Sequence, residues 1–278
     1  MSQPPATRPL VIFGITGRMG QCLIAALREG STFHLHGAVA SAGSVRLGRD
    51  AAATGQASGV EIGADCAAAL KPGSAAPKSS LVAVDFSIGS AVAAHARACR
   101  EAGVPLLVGA TALDAAATTE LERAAKSIAV LIAPNTSVGV AVLGQLVAQA
   151  AWVLNEGYDV EISEAHHRHK RDAPSGTALR LGEVVAQARS QRLSDIAVYD
   201  RHGAADARRS AGSIGFSVVR GGDIVGEHTV TFAGAGERLE LTHRATDRMT
   251  FARGALRAAA WLIGRPAGLY GMKDVLGV

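Results

Sequence analysis

Between Glu161 and Thr177 the chain reads EISEAHHRHKRDAPSGT, and this one stretch holds residue types suited to protonating an anionic substrate. His166, His167 and His169 fall within four residues, with Lys170 beside them. Histidine exchanges protons near neutral pH. Lysine brings a full positive charge and serves as a proton donor where burial lowers its pKa. Pro-Ser-Gly-Thr follows at 174–177, then a helical run over Ala178–Arg189. Ser175 or Thr177 can cap that helix, and its first N–H groups form an anion site. The segment therefore offers a general acid, a cation and a carboxylate cradle. Reduction of an anionic C=N or C=C bond calls for all three, because charge builds on the substrate as hydride arrives and an acid must quench it.

Other chemistries fit the same residues less well. A zinc site would draw on the three histidines, but no HExxH or HxH…C spacing accompanies them and the basic neighbours repel a cation. A phosphate or RNA patch would use His-Arg-His-Lys-Arg, yet no aromatic residues interleave. A solvated basic loop joined to a capped helix is the plainest alternative. Serine hydrolases and metalloproteases are excluded by the lack of a nucleophile elbow or ligand motif.

A second motif lies near the start. Gly14-Ile15-Thr16-Gly17-Arg18-Met19-Gly20 follows an apolar run and opens a helical pattern. Gly14 permits the tight turn, Gly17 the approach of phosphate oxygens, and Gly20 close packing of helix on strand. The helix start then faces a pyrophosphate. Thr16 stands at the usual second-glycine place, so the spacing is GxxGxxG. A plain strand-to-helix turn is the alternative. Gly109-Ala110-Thr111 and Ala133-Pro134-Asn135-Thr136 also end apolar runs, where open α/β sheets bind ligands. Thr111 and Asn135 can hydrogen-bond a nicotinamide amide.

These segments need a scaffold, and the apolar pattern supplies one. Leu10–Phe13, Leu35–Val39, Leu81–Phe86, Leu106–Gly109 and Ala129–Ala133 read as buried strands. Helix candidates Arg18–Glu29, Ser90–Ala102 and Asp114–Lys126 lie between them. Continuous apolar strands alternating with helices predict a parallel sheet covered on both faces. The stretch Ala42–Ser80 reads as loops and short pieces. After a long apolar helix over Val138–Leu154 the period changes to two, at Val160/Ile162/Glu164, Ile214/Phe216/Val218, Val230/Phe232 and Leu239/Leu241. That predicts a mixed or antiparallel sheet with one face covered. A last helix spans about Arg248–Ile263.

Composition narrows the class further. Hydrophobic residues at 48% against 19% charged give enough material for a core. Aromatics at 4% argue against a base-stacking nucleic-acid module. A formal charge of +4 attracts anions without implying DNA. Cys22, Cys66 and Cys99 form no CxxC, which suits reduced thiols in a cytoplasm. The start lacks a signal-peptide core, no apolar run reaches a membrane span, and residues 1 to about 8 read as a frayed tail.

The run EISEAHHRHKRDAPSGTAL resembles the signature segment of the 4-hydroxy-tetrahydrodipicolinate (dihydrodipicolinate) reductase family. The Gly14–Gly20 loop, Val84-Asp-Phe-Ser87, Ala133-Pro-Asn with Ser137-Val-Gly, Val219-Arg-Gly-Gly-Asp-Ile-Val-Gly-Glu-His228 and Arg248-Met-Thr-Phe-Ala are similar to its other motifs, in family order over nearly the whole chain. The resemblance implies a Rossmann-like parallel-sheet domain, residues 1–136 completed by 247–278. It also implies a mixed-sheet α+β domain over 137–246 for substrate binding and tetramerisation.

By the same resemblance the activity is NAD(P)H-dependent reduction of a dihydrodipicolinate-type imine to tetrahydrodipicolinate in lysine/diaminopimelate biosynthesis. His166 and Lys170 become the proton-transfer pair, and His167, Lys170, Gly176 and Thr177 contact substrate, with Ser175 at the helix start. Gly14–Met19, Gly109–Thr111 and Ala133–Thr136 become the cofactor loops, and no metal is expected. The rivals are another Rossmann-type dehydrogenase acting on an amino acid, which the His166/Lys170 segment argues against, and a non-catalytic dinucleotide-binding protein.

The chain departs from the family pattern at three places. Gly109-Ala-Thr replaces Gly-Thr-Thr, Asn135-Thr136 replaces Asn-Phe, and no acidic residue occurs between Glu29 and Asp50, where the family often has one near Ser41. An acid there would bond the ribose of NAD and repel a 2′-phosphate. Ser41 is therefore placed in the ribose pocket, and NADPH is expected to serve at least as well as NADH.

Overall fold

The computed structural model describes residues 7–72, 80–202 and 207–277. Most of the expected frayed tail and part of the Ala42–Ser80 stretch lie outside the described residues. The chain divides into two compact units, one of residues up to Val138 together with Arg248 onward, the other Gly139–Asp247.

The first unit is built on β1 (Arg8–Phe13), α1 (Arg18–Arg28), β2 (Phe33–Val39), β3 (Ile62–Gly63), α2 (Cys66–Ala69), β4 (Val82–Asp85), α3 (Val92–Ala102), β5 (Leu106–Val108), α4 (Ala115–Ala124) and β6 (Ala129–Ile132). Pro9 to Phe13 are all buried, as are all of β4 and β5. Strands apolar on both faces need helices on both faces, and here they form a seven-stranded, wholly parallel sheet. Its order places β4 and β2 on either side of β1, so the winding reverses between β1 and β4. The carboxyl end of such a switch point is where open α/β sheets bind ligands.

The second unit carries α5 (Val138–Val153), β7 (Asp159–His166), α6 (Gly176–Ala188), α7 (Leu193–Ile196), β8 (Ala197–Val198), β9 (Ile214–Arg220), β10 (Gly226–Ala233) and β11 (Arg238–Ala245). Its sheet runs β11-β10-β7-β9-β8, antiparallel on one side of β7 and parallel on the other. The period-two pattern explains the covered face. Val160 and Ile162, Ile214 and Phe216, and Val230 and Phe232 pack with Leu143, Val147, Leu181 and Val185 of α5 and α6. The opposite face is polar, with Ser217 bonded to Ser163, Thr229 to Thr242 and Glu227 to Arg244 across neighbouring strands.

The chain then returns to the first unit as α8 (Met249–Leu262), β12 (Gly268–Tyr270) and α9 (Met272–Leu276). β12 adds a seventh strand beside β6, which the short, aperiodic run Gly268–Tyr270 does not announce. The buried face of α8 is mostly Ala and Gly, which lets the helix approach closely. A Cβ on Gly254 would stand 1.9 Å from the Thr136 carbonyl oxygen. Among the described residues no helix is long and apolar enough to cross a membrane.

Candidate active site

The residues expected to hold a dinucleotide gather at the carboxyl ends of β1, β2, β5 and β6. Gly14 adopts φ +78°, and a Cβ there would meet the Phe86–Ser87 backbone at 2.7–2.8 Å. Gly20 lies so close to the end of β1 that a Cβ would stand 2.5 Å from the Ile15 carbonyl oxygen. Gly17 is the N-cap of α1 and has no side chain to cap it. The N–H groups of Arg18, Met19 and Gly20 in the first turn have no intrahelical acceptor, and no acidic side chain competes for them. That is the cradle a pyrophosphate requires, so the loop fits the group.

The members of this set differ in what they expose. Thr16, Gly17, Arg18, Ser41, Thr111 and Pro134 are exposed, and Met19 and Asn135 half-buried. Ala110 and Ala133 are buried, leaving their backbones to act. Gly109 seats against the Phe86 ring. Ile15 turns its side chain fully into the core, and its N–H donates to the Val39 carbonyl while its own carbonyl accepts from Gln21. Thr136 also faces inward, its hydroxyl donating to the Phe251 carbonyl at 2.7 Å. The structure thus gives these two a part in the scaffold that sequence reasoning did not assign.

Beside this loop Asp85, buried at the end of β4, accepts from Ser87 N–H and from His95 Nδ1 at 2.8 Å. The His95 ring stacks on Phe13 at 4.4 Å. Burial works against its charge, but the bonds to Asp85 and the Cys66 thiol prevail and raise its pKa to about 9.

In the second unit, even-numbered positions of β7 share the covered face. Val160 and Ile162 are apolar; Glu164 and His166 continue the same stripe. Registers β7–β9 and β7–β10 bring Arg220 opposite His166 and His228 opposite Glu164. Glu164 is 2% exposed and accepts four hydrogen bonds. They come from His166 Nδ1 at 2.6 Å, Arg220 Nη1 and Nη2 at 2.8 and 2.7 Å, and Ser175 N–H at 2.9 Å. Burial would raise its pKa, but Arg220 and His166 outweigh that and hold it below the ordinary carboxylate value.

Ser175 is the N-cap of α6, its Oγ accepting from Ala178 N–H at 3.2 Å. The same hydroxyl is hydrogen-bonded to His228 Nε2, 2.9 Å away. Burial, with His166 nearby, lowers the His228 pKa to about 4, so this ring is neutral at ordinary pH. The His166 and His228 rings meet edge to face at 5.2 Å. Burial also lowers the His166 pKa, Glu164 opposing and Lys170 and Arg220 reinforcing the shift. The first turn of α6 has no acidic residue, and Gly176 is exposed with open space about its Cα.

Lys170 Nζ pairs with Asp172 Oδ1 at 2.9 Å. Burial favours the neutral acid, yet Lys170 and the Gly176 N–H keep the Asp172 pKa low. An internal carboxylate therefore engages the cation and helix start expected to receive a substrate carboxylate. His167 is half-buried and its Nδ1 accepts from His169 N–H at 3.2 Å. Sequence reasoning assigned no role to Glu164, Arg220 and His228. The signal that finds them is parity, since each continues an apolar stripe with a charged or polar residue.

A family model described as Dihydrodipicolinate reductase, N-terminus, matches residues 8–136, and one described as Dihydrodipicolinate reductase, C-terminus, matches 139–276. The chain is 49% identical over 271 residues to a 4-hydroxy-tetrahydrodipicolinate reductase of Anaeromyxobacter dehalogenans, covering 97% of each. It is 49% identical over 270 residues to the protein of that name from Thiobacillus denitrificans, covering 97% and 98%. Among solved structures, dipicolinate-bound dihydrodipicolinate reductase from Paenisporosarcina sp. TG-14 aligns with TM-score 0.70 at 20% identity, over 96% of this chain and 99% of that one. An amine dehydrogenase from Mycobacterium smegmatis aligns with TM-score 0.56 at 15% identity, over 94% of each. The latter two establish likeness of fold.

Proposed function

The chain belongs to the dihydrodipicolinate reductase family, and we propose that it reduces 4-hydroxy-tetrahydrodipicolinate, or the dihydrodipicolinate derived from it, to tetrahydrodipicolinate in lysine/diaminopimelate biosynthesis. The observation that carries this reading is the joint anchoring of His166 and the α6 start by one carboxylate, Glu164, with Lys170 four residues along the same loop. That arrangement sets a proton donor beside a site for carboxylates. A passive dinucleotide sensor has no use for it.

The Gly14–Met19 loop would hold the dinucleotide, with Gly109–Thr111 and Ala133–Thr136 toward the nicotinamide. The reduced nicotinamide supplies a hydride. This chain's residues do the rest. The first N–H groups of α6 and Lys170 bind substrate carboxylates, displacing Asp172, and His167, Ser175, Gly176 and Thr177 line the same place. His166, with Lys170 as second donor, supplies the proton that quenches the developing charge. No acidic residue between Glu29 and Asp50 repels a 2′-phosphate, which favours NADPH at least as much as NADH.

We place the enzyme in the cytoplasm, where Cys22, Cys66 and Cys99, none of them in a disulfide here, stay reduced. A homotetramer through the polar face of the second sheet completes the reading, and light scattering that returned a monomer would remove it. The test of the activity is whether reduced nicotinamide is consumed only when the dihydrodipicolinate precursor is supplied. Consumption with amino acids or imino acids alone would favour the dehydrogenase alternative.

A further inference from the structure

We propose that Glu164 is a positioning residue for proton transfer, a single carboxylate that fixes the His166 ring and the start of α6 in one geometry. This rests on reading His166 as the proton-transfer residue. The alternative, a buried ion pair kept for the scaffold, accounts poorly for what Glu164 touches. Its four hydrogen bonds run to the His166 ring, to the backbone of the α6 cap residue Ser175, and to Arg220. Arg220 Nη2 in turn holds the Asp172 carbonyl at 2.7 Å, in the loop that carries Lys170. Proton donor, anion cradle and cation are thus tied to one group.

The position is costly for stability alone. Val160 and Ile162 on the same stripe are fully buried and apolar, and replacing a buried ion pair by apolar packing is often neutral or stabilising. β7 nevertheless changes from apolar to ionised where the site begins. Chemistry supplies the reason. Accepting from Nδ1, Glu164 selects the neutral tautomer with its proton on Nδ1 and leaves Nε2 as the nitrogen that exchanges protons. It also provides the nearest negative charge to an imidazolium faced by the cations Lys170, from its own loop, and Arg220, from β9, and by the neutral His228 ring from β10. Without it, burial and these cations act unopposed.

The test combines a measurement on the wild type with two variants. In wild type, ¹⁵N spectra of labelled histidine should show neutral His166 as the Nδ1–H tautomer. E164Q should lower kcat by at least tenfold, toward the about 10⁴-fold seen when an orienting carboxylate becomes its amide. KM for the dinucleotide should stay unchanged. The limb of the kcat profile that follows His166 should move to lower pH, because the imidazolium loses its anionic partner. E164D should restore part of kcat and of the pH profile, which a loss of packing would not allow. A wild-type Nε2–H tautomer, or an E164Q profile that superimposes on wild type, would overturn the proposal. If E164Q does not fold, the tautomer decides. A wild type that leaves the precursor untouched overturns the activity reading instead, and the tautomer measurement still judges the hold of Glu164 on the ring.

Discussion

Gly226 on β10 lies directly against the His166 ring, such that a Cβ built on it would stand 3.0 Å from Nε2 and 3.3 Å from Cδ2. Glu164 grips the ring from the other side at 2.6 Å. The ring therefore cannot retreat from an added methyl without stretching that bond. G226A is expected to lower kcat by roughly tenfold, since misplacing a reacting group by about 1 Å can cost about a hundredfold. The dinucleotide KM should not change, and steady-state kinetics of the folded variant check both.

His166 and Lys170 should separate in kinetics. H166A removes a general acid, and its kcat should fall by about 10²–10⁴ with substrate KM little altered. K170A should lower kcat and raise substrate KM together, because a carboxylate loses its cation. Near wild-type kcat in both would remove the pair from the chemistry.

Thr136 is a test of scaffold against cofactor contact. The residue is 1% exposed and its hydroxyl is committed to Phe251 of α8. T136V keeps the shape and loses the bond, so it should destabilise by about 0.5–1.5 kcal/mol and leave the dinucleotide KM unchanged. Thermal melts and KM measured on the same preparation distinguish the two roles.

What the sequence made legible was local. The Gly14–Gly20 turn, the strand ends at Gly109 and Ala133, and the Ser175 cap each lie within one short run, so residue type and spacing suffice. What it concealed depends on pairing between distant segments. Arg220 reaches Glu164 across 56 residues because β9 pairs parallel with β7, and Thr136 reaches Phe251 across 115 because the chain returns to the first unit. Periodicity identified both strands without their register, and register decides which charged side chains share a face. β12 escaped notice for another reason, since three residues at a sheet edge carry too little pattern.

His95 should make the first unit sensitive to alkali. Its folded pKa, about 9, lies above the ordinary histidine value. A raised pKa contributes stability that is complete below about 6.5, and that is lost as pH rises through 9. The wild-type melting temperature should therefore decline over that window, while H95Q starts lower and declines less. Parallel curves for the two proteins would deny His95 its charge.

The cofactor preference turns on what stands at the end of β2. A dinucleotide fold that prefers NAD usually places a carboxylate there, about 20 residues past the glycine loop. Here β2 ends at Val39 and runs into exposed Ser41, and Glu29 and Asp50 are the nearest acids on either side in sequence. Asp50 is committed to its own loop, accepting from Ala52 N–H, from Ser58 through N–H and hydroxyl, and from Gly59 N–H. Ser58 above all, with those neighbours, holds its pKa at about 2. Arg46 donates to the Asp50 backbone carbonyl, so that bond leaves its charge unneutralised. Arg18 opens α1 and is exposed. Two cations and a serine, with no acid in the run from Gly30 to Arg49, should accept a 2′-phosphate. The expected kcat/KM for NADPH is therefore at least that for NADH, and wild-type preference for NADH by tenfold, about 1.4 kcal/mol, would defeat the assignment. S41E restores the missing charge, so it should depress NADPH use and spare NADH. If the ratio stays the same in that variant, the ribose lies elsewhere than beside Ser41.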